Sequence, residues 1–399
     1  MKLNKPCLFV SLLTPGLHAK GDAIPQQYDY SYQLYQEEND RIRIESHYVR
    51  GKLDITDSTQ FRFQWLSDAI TGSSPTGAKP GGDQPAIANL EDLRTGILGA
   101  LSQKAGDHRI EMEVSYSEED DYVSKGVAVS DEIEFNQKNT TFAFGVSYLD
   151  DTIKTVQLGD KRKDSYDFFT GVTQVIDKNT VFSANLTLGF SDGYLNDQYK
   201  IVQRDENLTL PDVQIDLGGG ELLVIPGEQV PVVNIYRENR PDFRFRQVLQ
   251  LGGKHYFEAE KATVKADVRL SHDDYGIFSQ TAQVEWRQQL GERFQLVPFY
   301  RYYHQNAADF FMNDLNNVNI DIPANDPDGS GPHYSSDYRL SSLEAQSVGM
   351  RLRCELTDHL TATAVYERYV MKGVGNADTS PSDAYPTANI FTVGASITF

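Results

Sequence analysis

Cysteine is nearly absent: the 399 residues hold two, Cys7 and Cys354. Cys7 lies in an N-terminal segment that reads as removable, so the mature chain has no intramolecular disulfide available to it. Cys354 falls on an apolar strand face, where a lone thiol is usually a small hydrophobe. Long apolar runs are missing too. No stretch approaches the ~20 residues that a membrane-spanning helix needs, which excludes a helical inner-membrane protein. Positive charge is in deficit, with 37 Lys and Arg against 57 Asp and Glu and a net charge of −20, which argues against a nucleic-acid partner. Tryptophan is scarce at 2, yet Tyr 22 and Phe 20 make the chain aromatic-rich. No Gly-rich phosphate loop, Cys/His zinc spacing or haem-attachment motif is present, so no cofactor is expected.

The first residues have the layout of a secretory signal. Lys2 and Lys5 form a basic start, Leu8 to Leu13 a short apolar stretch, and Leu17-His18-Ala19 a cleavage site. The expected division is a signal peptide over 1–19 and one barrel domain over 20–399.

What fills the rest is alternation. At the C-terminus Phe391, Val393, Ala395, Ile397 and Phe399 point one way, and Thr392, Gly394, Ser396 and Thr398 the other. The same period of two recurs in Phe182 to Ser191, Thr141 to Tyr148, Arg109 to Tyr116 and Lys261 to Leu270. Strands are expected near 28–37, 41–55, 59–69, 93–103, 108–118, 122–136, 140–151, 164–176, 180–191, 241–254, 260–272, 276–289, 293–306, 339–355, 359–372 and 388–399. The segment 93–103 also reads as a short helix, and losing it would leave an odd number.

Connections alternate between short and long. Thr56-Asp57-Ser58, Gln137-Lys138-Asn139, Asp177-Lys178-Asn179 and Leu356-Thr357-Asp358 are tight turns. The long connections, 70–92, 152–163, 192–240, 307–338 and 373–387, fall in the other set. Short turns on one side and long loops on the other build a transmembrane barrel. In hydrocarbon an open strand edge has no water to satisfy it, so a spanning sheet must close. The expected fold is all-β: an antiparallel up-and-down outer-membrane barrel of about sixteen strands, with periplasmic turns and extracellular loops. A terminal strand ending on Phe399 resembles the signal read by the barrel-insertion machinery. Expected partners are therefore outer-membrane lipids and that machinery, in a Gram-negative cell.

Parity along the strands assigns the charged residues to the lumen, since a midplane Arg facing lipid costs ~2–4 kcal/mol. The expected lumen residues are Arg43, Glu45 and His47; Arg62 and Gln64; Arg244 and Arg246; Lys265, Asp267 and Arg269; Glu285 and Arg287; Arg301; Arg351 and Arg353; and Glu367. They imply either salt bridges that brace the wall or a water-filled passage whose arginines attract anions. In the loops, Glu221 to Ile225 forms a small hairpin or folds inward as a constriction. Asp326-Pro327-Asp328-Gly329-Ser330 has part of a calcium-loop pattern without its closing Glu, and a turn is the simpler reading. His272-Asp273-Asp274 at a hairpin tip lacks the second pair that hydrolysis would need. His47 and His304 have no assignable Ser partner. No enzyme activity is expected.

Several strings resemble one family. They are Phe135 to Thr141, Phe190 to Tyr199, Glu238 to Arg246, Arg301 to Phe310 and Ser335 to Ser341. Together they are similar to the domain of unknown function 3570 family of Gram-negative outer-membrane proteins. Gln198 stands where that family's string has Pro, which leaves the local loop shape open. The resemblance carries over no catalytic residue. It implies an association with extracytoplasmic redox chemistry, and hence a second functional expectation. The first is a channel or transporter for small hydrophilic, anionic solutes. The second is a non-conducting scaffold that docks a periplasmic or surface flavin or haem protein.

Overall fold

The computed structural model describes residues 25–77, 87–155, 158–218, 221–316, 318, 327–375 and 379–399. The expected signal peptide, with Cys7, and Asp326 lie outside the described residues.

In chain order the strands are Gln26–Glu37 (β1), Arg43–Asp54 (β2), Thr59–Pro75 (β3), Ile87–Ala105 (β4), His108–Glu118 (β5), Tyr122–Phe135 (β6), Thr140–Thr155 (β7), Gly159–Val175 (β8), Thr180–Gly193 (β9), Ile201–Thr209 (β10), Val213–Gly218 (β11), Glu221–Ile225 (β12), Gln229–Arg237 (β13), Phe243–Phe257 (β14), Ala262–Asp273 (β15), Phe278–Leu290 (β16), Phe294–Gln305 (β17), Leu343–Glu355 (β18), Leu360–Gly373 (β19) and Thr387–Thr398 (β20). Strands β1–β9 and β14–β20 make one closed antiparallel barrel. All sixteen expected segments are its strands, including 93–103 inside β4. Closure is by β20 on β1, with Ile397 opposite Tyr28 and Phe391 opposite Leu34. The Phe399 backbone N–H donates to the Gln26 carbonyl at 2.9 Å, sealing the lower end of that seam.

Two long connections are shorter than expected because pairing continues past the membrane. The β3–β4 ladder runs to Pro75 opposite Ile87, and the β7–β8 ladder to Thr155 opposite Gly159. Above the bilayer a ladder no longer needs an apolar face, so alternation fades while the hydrogen bonds persist. The segment Glu221–Ile225 pairs with β11 at the far end of the β10–β13 ladder.

Residues directly opposite in an antiparallel ladder share a face. Faces can therefore be traced around the whole ring from Phe391 and Val393, which are outward and about half exposed. Their outward neighbours include Tyr32, Val114, Val146, Leu249, Val268, Val348 and Tyr366. Aromatic pairs punctuate this outer wall: Tyr148 with Tyr166, Phe190 with Phe245 and Phe257 with Trp286, with ring centroids 4.9, 4.7 and 5.7 Å apart. Amphipathic rings collect at the two interfaces of a membrane barrel.

The trace corrects three assignments. Arg43, Glu45 and His47 face outward, because Glu45 lies opposite Leu34 and His47 opposite Tyr32. Val49 and Leu53 share their face. Glu45 is held by Arg43 at 2.7 Å and by the Tyr32 hydroxyl at 3.1 Å, and the Tyr30 hydroxyl meets His47 Nδ1 at 3.0 Å. These polar groups sit at the extracellular end of β2 and satisfy one another on the outer face. The other expected lumen residues, from Arg62 to Glu367, lie on the inward face.

A charge at the centre of the outer wall separates the two faces experimentally. Val114→Arg should destabilise the folded barrel in lipid vesicles by ~2–4 kcal/mol in a urea titration. The adjacent inward substitution Ser115→Arg should cost far less. Equal losses would contradict the assignment of faces.

Candidate functional site

Charges on the inward wall form two populations. In the lower and middle barrel they pair along a strand or with a nearby strand. Lys265 meets Asp267 at 3.1 Å, Arg287 meets Glu285 at 2.9 Å, and Arg353 meets Glu355 at 3.6 Å, each two residues apart on one face. Arg62 on β3 reaches Glu111 on β5. Arg351 shares this wall. These pairs satisfy charge locally and run along the wall. The bracing expected across the lumen comes from the loops instead.

Two loops close over the mouth. One joins β9 to β14 and the other β17 to β18. Their backbones meet in reciprocal hydrogen bonds between Asn239 and Tyr334, each 2.9 Å. The fully buried Asn239 amide donates to the carbonyls of Ser330 and Pro332 at 2.6 and 2.9 Å. Its oxygen accepts from Gly329 N at 3.1 Å. A strap over residues 334–340 is thereby drawn inward. Leu340 anchors its end in a small apolar cluster with Tyr275, Ile277, Ala308 and Phe310. Tyr334 anchors its start against Val202 and Leu315.

Buried charge locks this strap. Arg240 meets Glu238 at 2.8 Å and Asp337 at 2.7 Å; the two acids are almost wholly inaccessible to solvent and Arg240 is 12% exposed. Arg339 grips Asp337 through its Nε, 3.0 and 2.8 Å from the two carboxylate oxygens, and also reaches Asp197. The Ser335 hydroxyl donates to Glu238 at 2.6 Å. Lys200 donates to the carbonyl of Pro75, fastening the loop root to the rim, and its ammonium lies 5.4 Å over the Tyr338 ring. Gln198, the departure from the family string, donates to Asp121 at 2.6 Å, beside the Tyr199 hydroxyl at 2.5 Å. Asp328 accepts from the backbone and hydroxyl of Ser330 at 3.0 and 2.6 Å and makes a turn.

Beneath the strap is a cavity of about 630 Å³. Arg240 and Arg339 enter it from above, and Arg244, Arg246, Arg269 and Arg301 from the wall; its acids are Asp273 and Asp337. Arg240 and Arg339 are neutralised within the strap. Arg244 is neutralised by Asp273 and lies 4.7 Å over the Tyr275 ring. Arg246, Arg269 and Arg301 make no ion pair with any described carboxylate. Arg269 has only a 3.4 Å hydrogen bond to Gln250. A second cavity of about 530 Å³ shares Arg301, Tyr303 and Arg339 with the first, and Glu367 lines it. Of the expected lumen residues, the structure thus gathers Arg244, Arg246, Arg269, Arg301 and Glu367 around these cavities. It leaves Arg62, Lys265, Asp267, Glu285, Arg287, Arg351 and Arg353 elsewhere on the wall. Glu238, Arg240, Asp273, Asp337 and Arg339 were not expected at the site. The tripeptide His272-Asp273-Asp274 is divided by strand alternation: His272 faces outward, opposite Gln247, and Asp273 faces the lumen. His304 also faces outward, opposite Glu344.

Burial would raise the Asp337 carboxyl, but the Arg339 and Arg240 guanidiniums outweigh it and hold it well below the usual range. Glu238 is pushed up by burial against the opposing pull of Arg240. Burial likewise lowers Lys200. A depressed carboxylate stabilises the strap above its ordinary pKa of about 4 and loses that contribution as pH falls through its lowered value. A raised carboxylate does the reverse, so protonating Glu238 does not open the strap. Limited proteolysis across a pH series should therefore find the mouth loops protected down to about pH 4 and cleaved only below it. Asp337→Ala removes the carboxylate that Arg240 and Arg339 share, leaving them Glu238 and Asp197 alone, and takes away a buried partner usually worth ~3–5 kcal/mol, so its loops should be cut at neutral pH. Wild-type loops already cut at pH 7 would contradict the lock.

Comparison with known proteins agrees with the architecture. The model of the family described as "Protein of unknown function (DUF3570)" matches residues 14–87, 80–161 and 155–382. No curated protein matches the chain. Among solved structures, CdiB from Acinetobacter baumannii aligns at a TM-score of 0.50 and 7% identity, over 94% of this chain and 60% of that one. A bacterial polysaccharide outer membrane secretin aligns at 0.48 and 9%, over 94% and 98%. OmpT of Vibrio cholerae, as a loop L8 deletion mutant, aligns at 0.42 and 8%, over 94% and 99%. At these identities the likeness is one of fold. A closed sixteen-stranded barrel with an apolar outer wall, matched by this family's model from residue 14 to residue 382, makes the chain a member of the DUF3570 family and an outer-membrane β-barrel of a Gram-negative bacterium.

Proposed function

We propose that the barrel is a channel or transporter for small, hydrophilic, anionic solutes. One observation carries the reading: Arg246, Arg269 and Arg301 line a single cavity and make no ion pair among the described residues. An unpaired guanidinium in a confined space gains about 4 kcal/mol from an anion 4 Å away at an effective dielectric of 20. That attraction draws anions to the cavity and opposes cations. Sixteen strands leave room for an aqueous lumen. The strapped mouth supports gated or selective passage over a wide pore. In the same reading residues 1–19 are removed during export, residues 20–399 form the mature barrel, and the insertion machinery reads the outward Phe399.

A second reading, a docking scaffold, draws on the hairpins β10–β13 and β11–β12. They expose Leu223, Val224, Ile225, Val233 and Ile235.

Proteoliposomes separate the two. Purified protein should release an entrapped anionic solute faster than a cationic one of equal size. The triple variant Arg246→Gln/Arg269→Gln/Arg301→Gln should cut that preference about tenfold, which corresponds to ~1.4 kcal/mol. Release of neither solute would favour the scaffold, and a cation preference would overturn the charge argument. Deleting Phe399 should leave the chain exported but reduce its share in outer-membrane fractions, and undiminished assembly would count against Phe399 as the signal.

A further inference from the structure

The two cavities differ in chemistry, and the difference bears on which anion is held. The first offers the unpaired guanidiniums together with the hydroxyls of Thr187, Ser271, Ser279 and Thr281. A planar guanidinium matches the two oxygens of a carboxylate or phosphate. The second is walled by Tyr35, Tyr303, Tyr338 and Tyr369, with Met371 and Ile390. Flat aromatic walls favour another ring by offset or edge contact. The compartments are adjacent, sharing Arg301, Tyr303 and Arg339 in their linings. Their acids set a polarity. Glu37 is already held by Arg41 at 3.0 Å and by the Tyr35 hydroxyl at 2.8 Å. Glu367 lines the second compartment only and repels a negative group from it. At about 630 and 530 Å³, each compartment is within the range of small-molecule sites, roughly 300–1,000 Å³. A bare inorganic anion would leave the tyrosine-walled compartment unused.

We propose that the two adjacent cavities together form a binding site for a ring-bearing organic oxyanion, its carboxylate or phosphate among Arg246, Arg269 and Arg301 and its ring between Tyr303 and Tyr369. The proposal deepens the anion-passage reading and rests on it for biological meaning, but its test does not depend on conduction. The site holds the oxyanion by paired N–H donors and selects against aliphatic and inorganic anions through the tyrosine walls.

Calorimetric titration of the detergent-purified full chain with phenyl phosphate, inorganic phosphate and benzyl alcohol tests it. Phenyl phosphate should bind at least tenfold tighter than inorganic phosphate, and benzyl alcohol weakest of the three. Arg301→Gln should weaken phenyl phosphate tenfold or more. Tyr369→Ala should bring phenyl phosphate down to the level of inorganic phosphate. The heat-dependent gel mobility of each variant checks that its barrel is closed. Equal affinity for the two phosphates, or no binding of either by a closed barrel, overturns the proposal. Binding by a barrel that releases no solute from liposomes sustains this site and defeats the channel reading. Release without binding does the opposite.

Discussion

Backbone hydrogen bonding in hydrocarbon permits no loose strand edge, and the rest of this molecule follows from that constraint. It forces β20 onto β1 and thereby fixes the register of every ladder around the ring. Strict alternation then has only two places for a side chain. Apolar residues take the lipid side, and the arginines of β14–β18 are turned into the lumen. This is how a chain with a net charge of −20 acquires an arginine-rich cavity inside the barrel. Its excess acid is distributed over loops, rims and wall pairs, while Arg246, Arg269 and Arg301 line one cavity without an ion pair among the described residues.

The mouth obeys the opposite logic. Outside the membrane the loops need no regular ladder, and their few backbone contacts are supplemented by buried charge. Glu238 and Asp337 lose their water together, and the two carboxylates are tolerable only because Arg240 lies within about 3 Å of each. Such a cluster contributes geometry more than net stability. Here it sets where the strap sits, and hence the ceiling of the cavity. The half-exposed Arg339 completes both the lock and the lining, so closure of the mouth and the field within the lumen share a residue.

Much of this was legible in the chain. All sixteen barrel strands follow from period-two alternation, because one wet and one greasy face leave a clear pattern. The failure at Arg43, Glu45 and His47 has a local cause. On β2 both faces carry apolar residues, Val49 and Leu53 on one and Ile44 and Tyr48 on the other, so only pairing with β1 decides the side. The extended ladders above the membrane were hidden because nothing there selects an apolar face. The strap was hidden as a structure, since Glu238, Arg240 and Asp337 lie in aperiodic loops and meet only through the fold. A signal for it was nevertheless present. Four of the five strings that resemble the family, Phe190 to Tyr199, Glu238 to Arg246, Arg301 to Phe310 and Ser335 to Ser341, converge on the strap and the cavity beneath it.

The central claim is that uncompensated arginines under a strapped mouth set the sign of the lumen field. The reversal potential of the wild-type protein in a planar bilayer, under a tenfold potassium chloride gradient, tests it most directly. The account predicts a potential of the sign carried by chloride. A potential of the sign carried by potassium would contradict it.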